Sequence, residues 1–372
     1  MVRGEERVLI KDEHRYCAHP HMAVLASGAW LLVATCGPRR AVTMHPPQDP
    51  EYINLLIRSS DEGETWSAPV AVPGYGHTGA ECAGLTALPD GAVLLNQWRF
   101  RWYPYQALPS TRDEPLLRGP AELVAGLAGS YEIAPSALAS QAPERLMPWA
   151  RGGGALAVYR SEDDGARWSA PSVVDTGPYA GGYGMRGGLA MPDGDILLPL
   201  SDVPHYAQIF VVRSTDGGLS WGKPEPVAAS DGREFEEPAP LLLADGTILM
   251  LLRDNVSHTL FEVHSLDGGQ TWSAPEATGI ACYPAHLLAL PDGRLAAVCG
   301  RRHPPYGISV FFSRDRGRRW DVETPLAVCT DLPSKDLGYP TAALRSDGSL
   351  FVAYYYRDAC GVTGVHAKLS SI

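Results

Sequence analysis

The chain has 372 residues, of which 45% are hydrophobic and 20% charged, the balance of a globular protein with a sizeable core. A formal net charge of −11 and the lack of any basic stripe exclude nucleic acid as an expected partner. With 39 Gly, 32 Pro and few long helical patterns, an all-β fold is expected. No stretch reaches the roughly 18 apolar residues of a membrane span, and Met1 to Val8 lacks the apolar run of a secretory signal. A cytoplasmic protein with no membrane partner is the expectation, with secretion the alternative if a leader has been removed. Cys17, Cys36, Cys82, Cys282, Cys299, Cys329 and Cys360 form no close pairs, so neither a disulfide framework nor a thiolate zinc site is indicated. No metal or other cofactor is expected.

The first element is the run Arg7-Val-Leu-Ile10, which reads as a strand lying ahead of a repeating pattern. In that pattern an apolar strand, a tight turn and a second apolar strand recur around Ser27-Gly28, Asp90-Gly91, Asp193-Gly194, Asp245-Gly246, Asp292-Gly293 and Asp347-Gly348. Out of phase with it runs Ser-x-Asp-x-Gly-x-x-Trp, at Ser59–Trp66, Ser161–Trp168, Ser214–Trp221, Ser265–Trp272 and Ser313–Trp320. The last four copies start 53, 51 and 48 residues apart, and the first gap of 102 is close to two periods. A period of about 50 residues marks a repeat architecture. In each copy Asp bonds its own backbone, Gly takes a positive φ and Trp is expected to pack on the following strand.

Six turns and five boxes combine into strand a, turn, strand b, loop, strand c, box, strand d. The prediction is one domain over 1–372, a six-bladed β-propeller of four-stranded antiparallel blades, with Arg7–Ile10 closing the last blade against the first. Two b-to-c loops are long. One runs from Gly37 to Tyr52. The other is an insertion at about 102–152, which includes a short helical pattern over Ala121–Leu127 and reads as a lid, an oligomer contact or ornament. Oligomeric state is not readable.

In such a ring the turns and boxes share one end, and the starts of a strands with the ends of b strands share the other. Aligned on the turns, the a-strand starts are His19, Cys82, Met185, Glu237, Tyr283 or Pro284, and Tyr339. Four are X-Pro pairs (His19-Pro20, Glu237-Pro238, Tyr283-Pro284, Tyr339-Pro340), which predicts an extended residue before each proline. Arg99, Arg101, Arg253, Arg301, Arg302 and Arg357 come from b-strand ends. An acid, a phenol and several guanidinium groups at one mouth make a candidate site. Trp98, Trp102 and Tyr103 offer a sugar-stacking wall or packing for the insertion.

The boxes resemble the Asp-box (BNR) repeats of the sialidase superfamily, and the likeness covers the chain apart from the insertion. Glu237-Pro-Ala-Pro-Leu-Leu-Leu-Ala-Asp-Gly-Thr-Ile-Leu-Met-Leu-Leu-Arg253 resembles the sialidase segment in which a Glu opens a strand and a substrate-binding Arg follows the turn. Gly338-Tyr339-Pro-Thr-Ala-Ala-Leu-Arg-Ser-Asp347-Gly348 resembles the segment carrying the tyrosine nucleophile, and Arg302 is similar in place to another family arginine.

The resemblance implies an exo-acting glycosidase that releases a terminal sialic acid or related acidic sugar with retention. Tyr339 would attack the anomeric carbon, Glu237 would take its proton, and Asp49 would be the acid/base, with His45 and Glu51 as substitutes. Arg253, Arg302, Arg301, His19, His21 and Trp98 would bind the carbohydrate. One departure stands out. Where sialidases begin the first a strand with Arg-Ile-Pro, this chain has Ala18-His19-Pro20-His21, so one arm of a three-arginine carboxylate clamp is replaced. A polysaccharide lyase, a neutral-sugar glycosidase using the histidines, and a non-catalytic glycan-binding propeller are the alternatives.

Overall fold

The structure is a computed structural model that describes residues 4–39, 49–73, 79–123 and 148–372. Six four-stranded antiparallel sheets form the blades of a β-propeller. Blade 1 runs Arg15–Val24, Trp30–Pro38, Ile53–Ser59 and Val70–Ala71, and blade 2 runs Glu81–Ala87, Val93–Pro104, Trp149–Ser161 and Ser172–Val174. Blade 3 is Leu189–Ala190, Ile196–Ser201, Gln208–Ser214 and Glu225–Ala229. Blade 4 is Phe235–Leu242, Ile248–Asp254, Thr259–Ser265 and Glu276–Ala277, and blade 5 is Ala285–Ala289, Leu295–Arg301, Gly307–Ser313 and Leu326–Cys329. Blade 6 takes Leu337–Leu344, Ser349–Arg357 and Thr363–Ser371, and its fourth strand is the N-terminal Glu6–Lys11. Glu6 pairs with Lys368 and Lys11 with Gly364, the predicted closure.

The boxes make turns as their chemistry requires. In every copy the Ser Oγ accepts the box Gly N–H at 2.8–2.9 Å, and the Asp Oδ1 accepts a backbone N–H four residues on at 2.8–2.9 Å. The box tryptophans depart from the expected packing on the following strand, because the boxes reach back to the preceding blade. Trp66 lies 5.9 Å from Phe351 of blade 6, Trp221 Nε1 donates to Ser172 Oγ of blade 2, and Trp320 Nε1 donates to Glu262 Oε2 of blade 4. The box glycines face the same way. A Cβ on Gly63 would meet Phe351, and one on Gly269 would meet Leu197 of blade 3, so Gly here meets both a positive φ and a blade-to-blade contact.

The insertion begins and ends as strand. Trp102 pairs with Arg151 and Pro104 with Trp149, so the b and c strands of blade 2 extend beyond the ring. A helical turn begins at 120–123, and the rest of the Ala121–Leu127 pattern falls outside the described residues. Among the described residues, no helix is long and apolar enough to cross a membrane.

Candidate functional site

Three of the four X-Pro residues do not take the predicted extended conformation. His19, Glu237 and Tyr339 have φ of 53°, 53° and 46°, in the left-handed region that non-glycine residues seldom enter. Each sits in a bulge where the register of the inner pair slips: between Ala18 and His21, Glu236 and Ala239, and Gly338 and Thr341. The extra residue turns its side chain out of the alternation of the strand, which is how bulges re-aim groups beside active sites. Left-handed backbone at such residues costs roughly 1–3 kcal/mol each and must be held by its surroundings. Tyr283 precedes a cis proline and is not among the positive-φ residues.

The re-aimed side chains meet. The Tyr339 hydroxyl donates to Glu237 Oε1 in a short hydrogen bond, and both residues are buried. Arg253 Nη1 lies 2.9 Å from Glu237 Oε2 and 3.2 Å from Glu236 Oε1, and its guanidinium stacks 4.6 Å over the Tyr283 ring. Arg302 lies 5.3 Å over the Tyr339 ring and donates from Nε to Leu337 O at 2.9 Å. The His19 ring is 4.2 Å from Tyr339 and 5.1 Å from Tyr355. Burial, then the Glu237 charge, pushes the Tyr339 phenol well above its ordinary range, so proton loss requires an acceptor already in place. Arg253 is held protonated by Glu237 and Glu236, which outweigh its burial.

Beside this cluster lies a cavity of about 250 Å³ lined by Glu81, Arg118, Arg151, Tyr206 and Glu236 together with the Gly152–Gly154 backbone. Burial raises the Glu81 carboxyl to about 8, with Glu236 and Glu237 adding to the shift against Arg151. Glu236 is raised as well, again by burial first. A neutral acid thus faces the cavity at pH 7. Neither glutamate was singled out from the sequence. Each stands one residue before a recognised strand start, and that adjacency was the available signal.

The other predicted residues divide. Asp49 is buried, and its Oδ1 accepts the Glu51 N–H at 2.9 Å, capping its own turn. Glu51 is exposed, and His45 lies outside the described residues. His21 sits further along the inner strand than His19, where its Nδ1 accepts the Leu85 N–H at 3.0 Å. Arg301 turns to His303 at 3.5 Å. Trp98 lines the same cavity as Glu81 and Arg151. It is 2% exposed, edge-on to Phe100, and so close to Gly154 and Gly181 that a Cβ on either would collide with the indole. Arg99 and Arg101 bond Tyr159 and Glu114, supporting the extended arm of blade 2. Among the described residues, no group of three or more His, Cys, Asp or Glu is placed to hold a metal ion.

The sequence pattern of the BNR repeat-like domain matches residues 144–352, more than half of the chain. The chain belongs to that family, within the sialidase superfamily. Anhydrosialidase of Macrobdella decora is 25% identical over 241 residues, 57% of this chain and 31% of its own length, so the match spans about a third of that relative. Among solved structures, a Dyadobacter fermentans protein of unknown function has a TM-score of 0.76 at 22% identity over 99% of each chain. The K499G mutant of NanB sialidase from Streptococcus pneumoniae scores 0.69 at 13% identity, covering 98% of this propeller and 71% of its own chain. The intramolecular trans-sialidase of Ruminococcus gnavus scores 0.66 at 15% identity, over 96% and 94%. At these identities the structural likeness shows a shared fold, and the BNR propeller is common ground for proteins of differing chemistry.

Proposed function

We propose that this BNR propeller is an exo-acting, retaining glycosidase for a terminal acidic sugar. The observation that carries the reading is the hydrogen bond from Tyr339 to Glu237, with Arg253 behind the carboxylate. In the first step the Tyr339 oxygen bonds to the anomeric carbon while its proton passes to Glu237. The glycosidic bond breaks with its electrons on the leaving oxygen, which takes a proton from an acid, here Asp49. Water then attacks the anomeric carbon, giving one proton back to the acid. The tyrosine oxygen leaves and recovers its proton from Glu237. A phenol suits a substrate with a carboxylate near the reacting carbon, since a charged nucleophile would be repelled by it.

Arg253 and Arg302 would bind that carboxylate. Arg253 Nη1 is engaged by both glutamates, and its buried Nε has no hydrogen-bond partner among the described residues. His19 stands where the third clamp arginine would be, packed on the nucleophile. This favours an acidic sugar held by two arginines over the usual three-arginine grip on sialic acid. The test is turnover of aryl glycosides of sialic acid and of uronic acids, paired with an analogue of whichever sugar is cleaved that carries fluoride as leaving group on the anomeric carbon and a second fluorine on the adjacent carbon, and peptide mass mapping of the adduct. A covalent sugar on Tyr339 is the expected result. Saturable glycan binding without turnover across the panel would establish the binding-only reading instead.

A further inference from the structure

Below the rim the axis of the propeller narrows to a second layer. By strand register His21, Gly84, Ala239, His286 and Thr341 are equivalent, pairing with Val33, Asn96, Leu251, Val298 and Ala353. In blade 3 the corresponding stretch is Arg186-Gly187. Gly84 has no room for a side chain, because a Cβ there would lie 2.2 Å from Arg186 O. With that close approach the Arg186 side chain crosses the axis, and its Nε donates to Ala285 O of blade 5 at 3.0 Å.

Arg186 is 3% exposed, and its Nη1 and Nη2 have no hydrogen-bond partner among the described residues. Arg186, His21 and His286 together line a cavity of about 150 Å³, and no carboxylate is among its lining residues. The two imidazole rings stand 5.9 Å apart. His21 Nδ1 accepts the Leu85 N–H and His286 Nδ1 accepts the Ala342 N–H, both at 3.0 Å. In the neutral tautomer each ring proton is therefore on Nε2, leaving a donor rather than an acceptor for the channel. Burial, with the Arg186 charge next, lowers both imidazoles, His286 to about 3, so they stay neutral donors at ordinary pH. The Glu237 carboxylate favours the charged guanidinium without bonding it, and two unsatisfied buried nitrogens are an unfavourable arrangement unless an acceptor joins them.

We infer that the axial channel is a binding site for a small monovalent inorganic anion of halide size, held by the Arg186 Nη groups and the Nε2–H groups of His21 and His286. The cavity is large enough for such an ion with water beside it. The site is separate from the sugar-binding rim and does not depend on the proposed glycosidase chemistry.

The experiment is a crystal of the whole chain grown in sodium bromide, with diffraction recorded at the bromine absorption edge. An anomalous peak in contact with the Arg186 guanidinium is the expected result. Bromide peaks elsewhere with none in the channel would overturn the assignment and leave a water-filled cavity. In solution, melting temperature is compared in sodium bromide and sodium gluconate at matched ionic strength. The native chain should melt higher in bromide by about 2 °C or more. Arg186→Met should lose that difference, and the exposed-arginine control Arg167→Met should keep it. Should Arg186→Met fail to fold, the native anomalous map still decides. An equal bromide effect in a folded Arg186→Met protein would sink the inference.

Discussion

Tyr339 in blade 6 donates a hydrogen bond from its hydroxyl to Glu237 in blade 4, past blade 5 and across 102 residues of sequence. Both residues reach that meeting from left-handed bulges, and both are followed by proline. Tyr339→Phe removes the bond and nothing else of similar size. It should leave the melting temperature within a few degrees of native while lowering kcat on the cleaved aryl glycoside by about 100-fold or more. Glu237→Gln should lower kcat comparably and destabilise as well, because it leaves Arg253 facing Glu236 alone. Steady-state kinetics with thermal melts on the same samples separates the two effects.

The Glu81 carboxyl gives a pH signature. Its folded value, about 8, lies above the ordinary glutamate value, so between roughly pH 4.5 and 8 the native state keeps a proton that the unfolded chain has lost. Stability from this group is complete below that window and falls as pH rises through it. Glu81→Gln, which is always neutral, should flatten this part of the pH–stability curve, and near pH 8 the variant should be no less stable than native. Urea melts at half-unit pH intervals would show it. A native curve that rises across the window and is unchanged in the variant would contradict the assignment.

Gly338 has φ +125°, and a Cβ there would come within 3.5 Å of Arg302 Nε. Gly338→Ala should therefore cost about 1–3 kcal/mol of stability. The contact with Arg302 is an ordinary one, so the cost is backbone strain, and because the strained residue adjoins Tyr339 the effect on catalysis should fall mainly on kcat. A change confined to KM would point away from a role for Tyr339 in the chemical step.

Ser265 lies on the opposite face, where its Oγ accepts the Gly269 N–H at 2.8 Å and donates to Asp267. Ser265→Ala leaves a buried N–H without its acceptor and should destabilise by about 1–3 kcal/mol. Below the melting range, kcat and KM should both be unchanged. Calorimetry and kinetics on one preparation check both halves.

The ring was legible because its determinants are local: an Asp-Gly turn and a Ser-x-Asp-x-Gly-x-x-Trp box each carry their own hydrogen bonds, and their spacing counts blades. The rim was legible for a related reason. The turns fix register, so His19, Glu237 and Tyr339 fall at one height however distant they are in sequence. The left-handed backbone at those positions was not, since proline predicts extended geometry for the residue before it and only the inter-strand bulge overrides that. Glu81, Glu236 and Arg186 owe their character to burial between blades, which no local pattern announces. The close cover of Trp98 was hidden for the same reason, since Gly154 and Gly181 come from other segments.

The strand Glu6–Lys11, paired along Thr363–Ser371, joins opposite ends of the chain within blade 6, and blade 6 carries Tyr339. Tyr339, the proposed nucleophile, should therefore be held against Glu237 only once the circle of blades is shut. Recovery of turnover after dilution from denaturant would act as a clock for that final event, lagging behind the recovery of β-structure within blades 1 to 5. Contacts spanning nearly the whole chain are the slow ones to form, and here the proposed chemistry waits on them.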